Sequence, residues 1–210
     1  MSKELSVPFI AHQNFPSDLY SAIFWQDKEL IRSLYDPWLQ AHPKGTLFSA
    51  IHDETAIYFH FKVLVDGYHA QQTADERLAV AGSDRVEIFF KKDDQMSPYY
   101  CLEVDYLGRC LDYKANYHRQ MDFDYRWPNG LKVQAQDLPE SYQVIISIQK
   151  TLLVKLGLLQ NSQVQIGVFQ ATYFKKNETQ LGTNWYSWVD PTTLKPDFHV
   201  PSAFGVLELV

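Results

Sequence analysis

At 210 residues, with no long Pro, Gly or Ser tract to divide it, the chain reads as one domain over 1–210. A formal net charge of -6 with no Lys or Arg block excludes the clustered cations that a nucleic-acid backbone requires, and no apolar run approaches the roughly 18 residues of a membrane-spanning helix. The hydrophobic fraction of 46% fills a core, and the aromatic fraction of 15% leaves rings over for the surface.

The opening residues, MSKELSVPFIAHQ, contain no hydrophobic signal core. That implies a cytoplasmic protein if Met1 is the native start, and a secreted or periplasmic one if a signal has been removed. Helical signal is thin. Asp27 can cap a short helix in which Leu30, Ile31 and Leu34 share a face before Pro37, and Leu152 to Leu156 can form one more turn ahead of Gly157.

Strand signal is strong. From Ala56 to Val65 the apolar residues Ile57, Phe59, Phe61 and Val63 alternate with His60 and Lys62, the period of a half-buried strand. The turn residues Asp53 and Glu54 join it to Leu47–Ile51 as a hairpin. Arg85–Lys91 and Tyr99–Asp105 follow, with Val86, Ile88 and Phe90 on one face of the first and Tyr100, Leu102 and Val104 on one face of the second. Further β patterns cover Arg109–Tyr113, Lys132–Gln136, Tyr142–Gln149, Gln163–Tyr173 and Gly205–Val210, while Gly67–Ser83 and Asn116–Gly130 read as loops. The fold expected is all-β, an antiparallel β-sandwich of jelly-roll type with two packed sheets and one or two short helices. Cys101 and Cys110 flank a turn at Asp105-Tyr106-Leu107-Gly108 in a register that leaves them as two free thiols.

Read in order, SAIHDETAIYFHFKV, GSDRVEIFF, YYCLEVDYLGR, ESYQVIISIQKTLLVKLGL and WYSWVDPTTLKPDFHVPSAFGVLEL resemble the family 9 carbohydrate-binding modules of the kind attached to xylanases. The resemblance spans Leu47 to Val210, and 1–46 matches poorly. It implies non-catalytic binding of a mono- or oligosaccharide, with a role in xylan- or glucan-type polysaccharide breakdown and structural calcium. Glu87 falls on a sugar-contacting glutamate of that family and Asp84 on the acid that opens its strand. The two stacking tryptophans fall near Ala81 and Phe198, the latter beside His199, and the family's sugar-contacting arginine and asparagine become Glu103 and Asp105. The aromatic clamp is therefore changed.

Glu87, Glu103 and Asp105 lie opposite the aliphatic residues of their strands, so an antiparallel pair points all three to one side of one sheet. Such a trio is either a solvated outer face or a set of acceptors for sugar hydroxyls, with Arg85 or Arg109 balancing the charge. Paired carboxylates about 5 Å apart also match the spacing of a retaining glycosidase, so a hydrolase using Glu87 and Glu103 is an alternative. A third reading is an interaction domain that kept the fold and lost the sugar.

The ligand-binding set is thus Glu87, Glu103, Asp105, Phe198, His199, Trp185 and Arg109, with Trp185, Tyr186, Phe198 and His199 expected to be exposed around the loop Pro191–Asp197. Trp188 is expected in the core. Trp127-Pro128-Asn129-Gly130, with Tyr117, Phe123 and Tyr125, either walls the same site or plugs a sandwich end. No HxH, HExxH, G-x-S-x-G or P-loop pattern occurs, and calcium through Asp84, Asp93 or Asp94 is the one metal the acids suggest.

Overall fold

The computed structural model describes residues 3–31, 33–39, 45–64, 67–177 and 180–210. Val65, at the end of one expected strand, lies outside them. In chain order the elements are β1 (Glu4–Val7), α1 (Ala22–Trp25), β2 (Glu29–Ile31), β3 (Thr46–His52), β4 (Ala56–Leu64) and α2 (Glu76–Ala79). Next come β5 (Arg85–Lys91), β6 (Tyr99–Asp105), β7 (Cys110–Asn116), β8 (Gln120–Asp122), β9 (Leu131–Leu138), β10 (Ser141–Gln149) and α3 (Lys150–Lys155). The chain ends with β11 (Leu159–Gln160), β12 (Gln163–Lys175), β13 (Leu181–Ser187) and β14 (Gly205–Leu209).

Two sheets pack face to face. One follows the order β1-β14-β12-β5-β6-β7-β8, with β11 and β13 also paired to β12, and the other follows β2-β3-β4-β10-β9. All pairs are antiparallel except β1 with β14. Alternation sends Phe59, Phe61, Ile88, Phe90, Leu102 and Val144 into the space between the sheets, where they form the main core with Trp188. Trp188 is core, as its sequence context implied.

The outer face of the larger sheet is buried as well. Phe89, Tyr99, Cys101, Leu111, Tyr113 and Phe169 point away from the main core and are covered by Val80, Phe198, Ala203 and Phe204 from loops. The cause is the length of β12. Its first residues pair with β14 (Ile166 with Gly205) and its last with β13 (Phe169 with Ser187), so residues 188–204, which connect β13 to β14, leave the sheet edge and fold over this face. The strands β5 and β6 are therefore buried on both sides.

Several local expectations need correction. The helix expected after Asp27 is absent: the helical turn lies earlier, at Ala22–Trp25, and Glu29–Ile31 is an edge strand bulged against Phe48 and Ser49 of β3. Ile31 and Leu34 are buried, but a single turn cannot repay helix nucleation when a strand edge offers a ladder, and the Asp27 carboxylate pairs with the Lys28 ammonium at 2.5 Å instead of capping. The expected loop Gly67–Ser83 contains α2, whose Asp75 carboxylate accepts from the Arg77 and Leu78 amides, and Asn116–Gly130 contains β8. α3 is capped by Leu156 and followed by Gly157 with φ of 73°, and in the β6–β7 hairpin Val104 faces Cys110 while Cys101 faces Tyr113, so both thiols are free.

Candidate functional site

On β5 and β6 the outward residues meet in register, Arg85 opposite Asp105 and Glu87 opposite Glu103. A solvated face is ruled out, because Arg85, Glu87, Glu103 and Asp105 are 4%, 2%, 6% and 0% exposed. The loop layer described above shuts them in. Burying so many charges is tolerable only when they pair.

Arg85 does the pairing. Its Nε lies 2.9 Å from Glu87 Oε1 and 2.7 Å from Glu103 Oε2. Its Nη1 donates to the carbonyls of Ala81 at 2.9 Å and Ser83 at 3.3 Å, and Tyr113 Oη donates to Glu103 Oε1 at 2.9 Å. The Trp185 ring lies 5.5 Å from the guanidinium, a cation–π distance. One N–H cannot aim at two oxygens, and Arg85 Nε, Glu87 Oε1 and Glu103 Oε2 are all buried without a hydrogen bond of good geometry. Burial pushes the Glu87 carboxyl well above the usual carboxylate range despite the neighbouring Arg85. Burial also disfavours the Arg85 cation, but Glu87 and Glu103 outweigh it and raise the guanidinium above its ordinary value.

Above this cluster opens a cavity of about 220 Å³. Arg85, Glu87 and Glu103 contribute to it together with Tyr113, Trp185 and Phe198, and Ala81, Leu111, Met121, Phe123 and His199 complete the walls. Arg119 and Asp197 form the rim, where Asp197 accepts from His118 Nε2 at 2.6 Å and Arg119 Nη1 at 3.1 Å. Burial would raise the Asp197 carboxyl, but these donors and the His199 amide bring it below the usual carboxylate range. The contact joins the β7–β8 turn to the loop ahead of β14.

The expected site residues separate into two groups. Glu87, Glu103, Trp185, Phe198 and His199 meet at this cavity. Asp105 and Arg109 do not: Asp105 accepts from the Arg109 Nε at 2.7 Å and from the Leu107 and Arg109 amides, and Arg109 reaches on to Gln71 O and Ser83 Oγ. They brace the β6–β7 turn against the chain before β5.

The expected exposure of Tyr186, Phe198 and His199 is also corrected, since all three are buried. Phe198 stacks on Phe169 at 4.1 Å and meets Trp185 edge-on, so it is a wall and not a projecting ring. His199 Nδ1 lies 2.8 Å from Tyr99 Oη, and burial brings its imidazole down to about 3. Ala81 and Phe198, which fall on the two stacking positions of the resemblance, do face the same cavity, with Trp185 supplying the large aromatic. Phe123 walls the site, whereas Trp127 packs into the main core on Phe90 and Tyr100.

His118, Arg119 and Asp197 escaped the sequence reading. His118 and Arg119 are neighbours in the β7–β8 turn and Asp197 lies 78 residues beyond Arg119, and no period or spacing connects the two segments.

The three candidate metal ligands are not brought together. Asp84 stands before β5 and Asp93 and Asp94 after it. Asp84 accepts from the His69 and Tyr173 amides, Asp93 from the Gln95 amide, and Asp94 from the Lys91 ammonium. Among the described residues no group of three or more His, Cys, Asp or Glu side chains could hold a metal ion.

In fold the chain is similar to a proposed carbohydrate-binding protein from Bacteroides uniformis ATCC 8492, with a TM-score of 0.66 and 17% identity over 100% of both chains. It is also similar to a carbohydrate-binding module of family 9 from Caldicellulosiruptor kristjanssonii in complex with glucose, with a TM-score of 0.57 and 18% identity over 99% of this chain and 96% of that one. The cellotriose complex from the same organism aligns with a TM-score of 0.59 and 16% identity over 99% and 93%. No curated protein matches the sequence. A sequence profile described as carbohydrate family 9 binding domain-like matches residues 22–210, and the chain therefore belongs to that family.

Proposed function

We propose that the chain binds a neutral saccharide ring in the cavity above Arg85, Glu87 and Glu103 and does not act on it chemically. The observation that carries this reading is the buried ionic cluster, paired in charge but short of hydrogen bonds, beside the half-buried Trp185. A pyranose presents hydroxyls that donate and accept along its edge and C–H groups on its face, which suit carboxylates and an indole respectively. Arg85 and Arg119 are offset by Glu103 and Asp197, while burial favours the neutral form of Glu87, so the lining favours no ionised ligand. Both glutamates turn to one shared arginine on the cavity floor, an arrangement that does not set an acid and a nucleophile on opposite sides of a glycosidic bond.

The family 9 modules of Caldicellulosiruptor kristjanssonii were solved with glucose and cellotriose, so glucans and then xylans are the first ligands to try here. Calcium is a separate matter. Asp84, Asp93 and Asp94 already have protein partners, and an ion would have to displace them.

Thermal unfolding against a sugar panel at about 10 mM, with calcium and with chelator, tests both points. A dissociation constant of about 0.1 to 1 mM raises stability by roughly 1.4 to 2.7 kcal/mol, a shift of several degrees. A rise with sugar that disappears in Trp185→Ala supports the assignment. A calcium-dependent rise would assign an ion site to this chain, and no rise with any sugar would favour an interaction domain instead.

A further inference from the structure

A second cavity, also of about 220 Å³, lies on the outer face of the other sheet, the side of the sandwich away from the site above. Ile23 and Trp25 of α1 wall it on one side, and Leu47, Ser49, His60 and Lys62 of β3 and β4 form its floor. Ser49 and His60 face each other in register and are only 1% and 3% exposed. Yet Ser49 Oγ and His60 Nδ1 have no hydrogen-bond partner.

The imidazole is held firmly. Trp25 lies flat against it at 4.6 Å between ring centroids, and its Nε2 is 2.8 Å from Gln143 Oε1. With Nε2–H donating to that oxygen, the neutral ring leaves Nδ1 as a buried acceptor without a partner, on a residue that lines the cavity. A hydroxyl pressed into the cavity floor, with a small shift of the side chains over it, would give Nδ1 a donor and Ser49 Oγ a partner, both of which they lack. Ile23 and Leu47 supply the apolar wall that an uncharged ring would lie against. Gln143, opposite Lys62 in register and itself buried, holds the imidazole in place from the neighbouring strand β10. Lys62 is the one charged residue among these walls, so neither a polyanion nor a cation is matched.

We propose that this cavity is a second saccharide subsite, which would let a single domain hold two glycan segments on opposite faces. The assignment does not depend on the first cavity, because its residues, sheet and loops are different.

Histidine- and tryptophan-detected NMR titration of the full chain with glucose, xylose, galactose, mannose and cellotriose, each at about 10 mM, tests it. The expected result is a saturable movement of the His60 ring signal with at least one sugar, retained in Trp185→Ala and weakened tenfold or more in Leu47→Trp, which fills the cavity. Ile23→Asp, at an exposed rim position, should weaken it as well and guards against a folding defect in the first variant. A His60 signal that stays still with every sugar overturns the proposal, as does movement that is undiminished in both variants. A His60 signal that moves while the Trp185 indole signal of the wild-type chain stays still would count against the first cavity and leave this one standing.

Discussion

Glu87 and Glu103 stand directly opposite each other on neighbouring strands and share one cation, with the Arg85 Nε 2.9 Å from the first and 2.7 Å from the second. Removing that cation leaves the buried Glu103 carboxylate facing Glu87 with the Tyr113 hydroxyl as its direct partner and no adjacent charge to offset it. Arg85→Met should therefore lose about 3–5 kcal/mol of stability in urea unfolding. Adding Glu87→Met and Glu103→Leu to it should recover most of the loss, since apolar groups of similar volume replace a buried ionic group at little cost. A mild effect of Arg85→Met alone would mean that the cluster is more hydrated than its burial indicates.

The same cluster sets an alkaline dependence. Burial raises the Glu87 carboxyl well above the ordinary glutamate value of 4.5, so above that pH the folded state holds a proton that the unfolded state has released. The associated stability is complete below 4.5 and is lost as pH rises from there through the raised value of the folded state. Denaturation measured across this window should show wild-type stability falling, and Glu87→Gln should flatten the fall.

Acid acts in the opposite sense through two histidines. Burial brings His60 down to about 4 and His199 to about 3, so both are neutral in the fold and charge more readily when unfolded. Their contribution is complete above 6.5 and disappears as pH falls through about 4 and then 3. His60→Gln should remove part of this acid sensitivity, on the order of 3 kcal/mol if the whole shift is realised, and urea midpoints between pH 7 and 4 would measure it.

Gly205 shows how closely the N-terminal strand is docked. A Cβ there would meet the Trp188 ring at 2.5 Å and the Lys3 carbonyl at 2.6 Å, both of which are fixed by packing or pairing. Gly205→Ala should cost about 1–3 kcal/mol and loosen β1 first, seen as faster amide exchange at Val206, whose N–H donates to Lys3 O.

Much of the sandwich was legible because period-two alternation recorded which residues face the main core, and β5 and β6 match their expected ranges residue for residue. β13 was missed because LGTNWYS has no steady alternation and depends on its ladder with β12. The site was legible only in part. Sequence placed Glu87 and Glu103 on one face, but a charged outward position looks the same whether water or a loop covers it. The covering loop is fixed by where β12 changes partners, a tertiary event that no local pattern records. For the same reason Phe198 and His199 read as loop residues open to solvent, although Phe169 and Tyr99 bury them.

Isothermal titration of the wild-type chain and of Trp185→Ala and Arg119→Ala with the best sugar from the thermal panel addresses the central claim most directly. Saturable binding that falls tenfold or more in Trp185→Ala and several-fold in Arg119→Ala, with both variants still folded, is the predicted result. Binding of equal strength in all three chains would contradict the assignment of the sugar to the cavity above Arg85, Glu87 and Glu103.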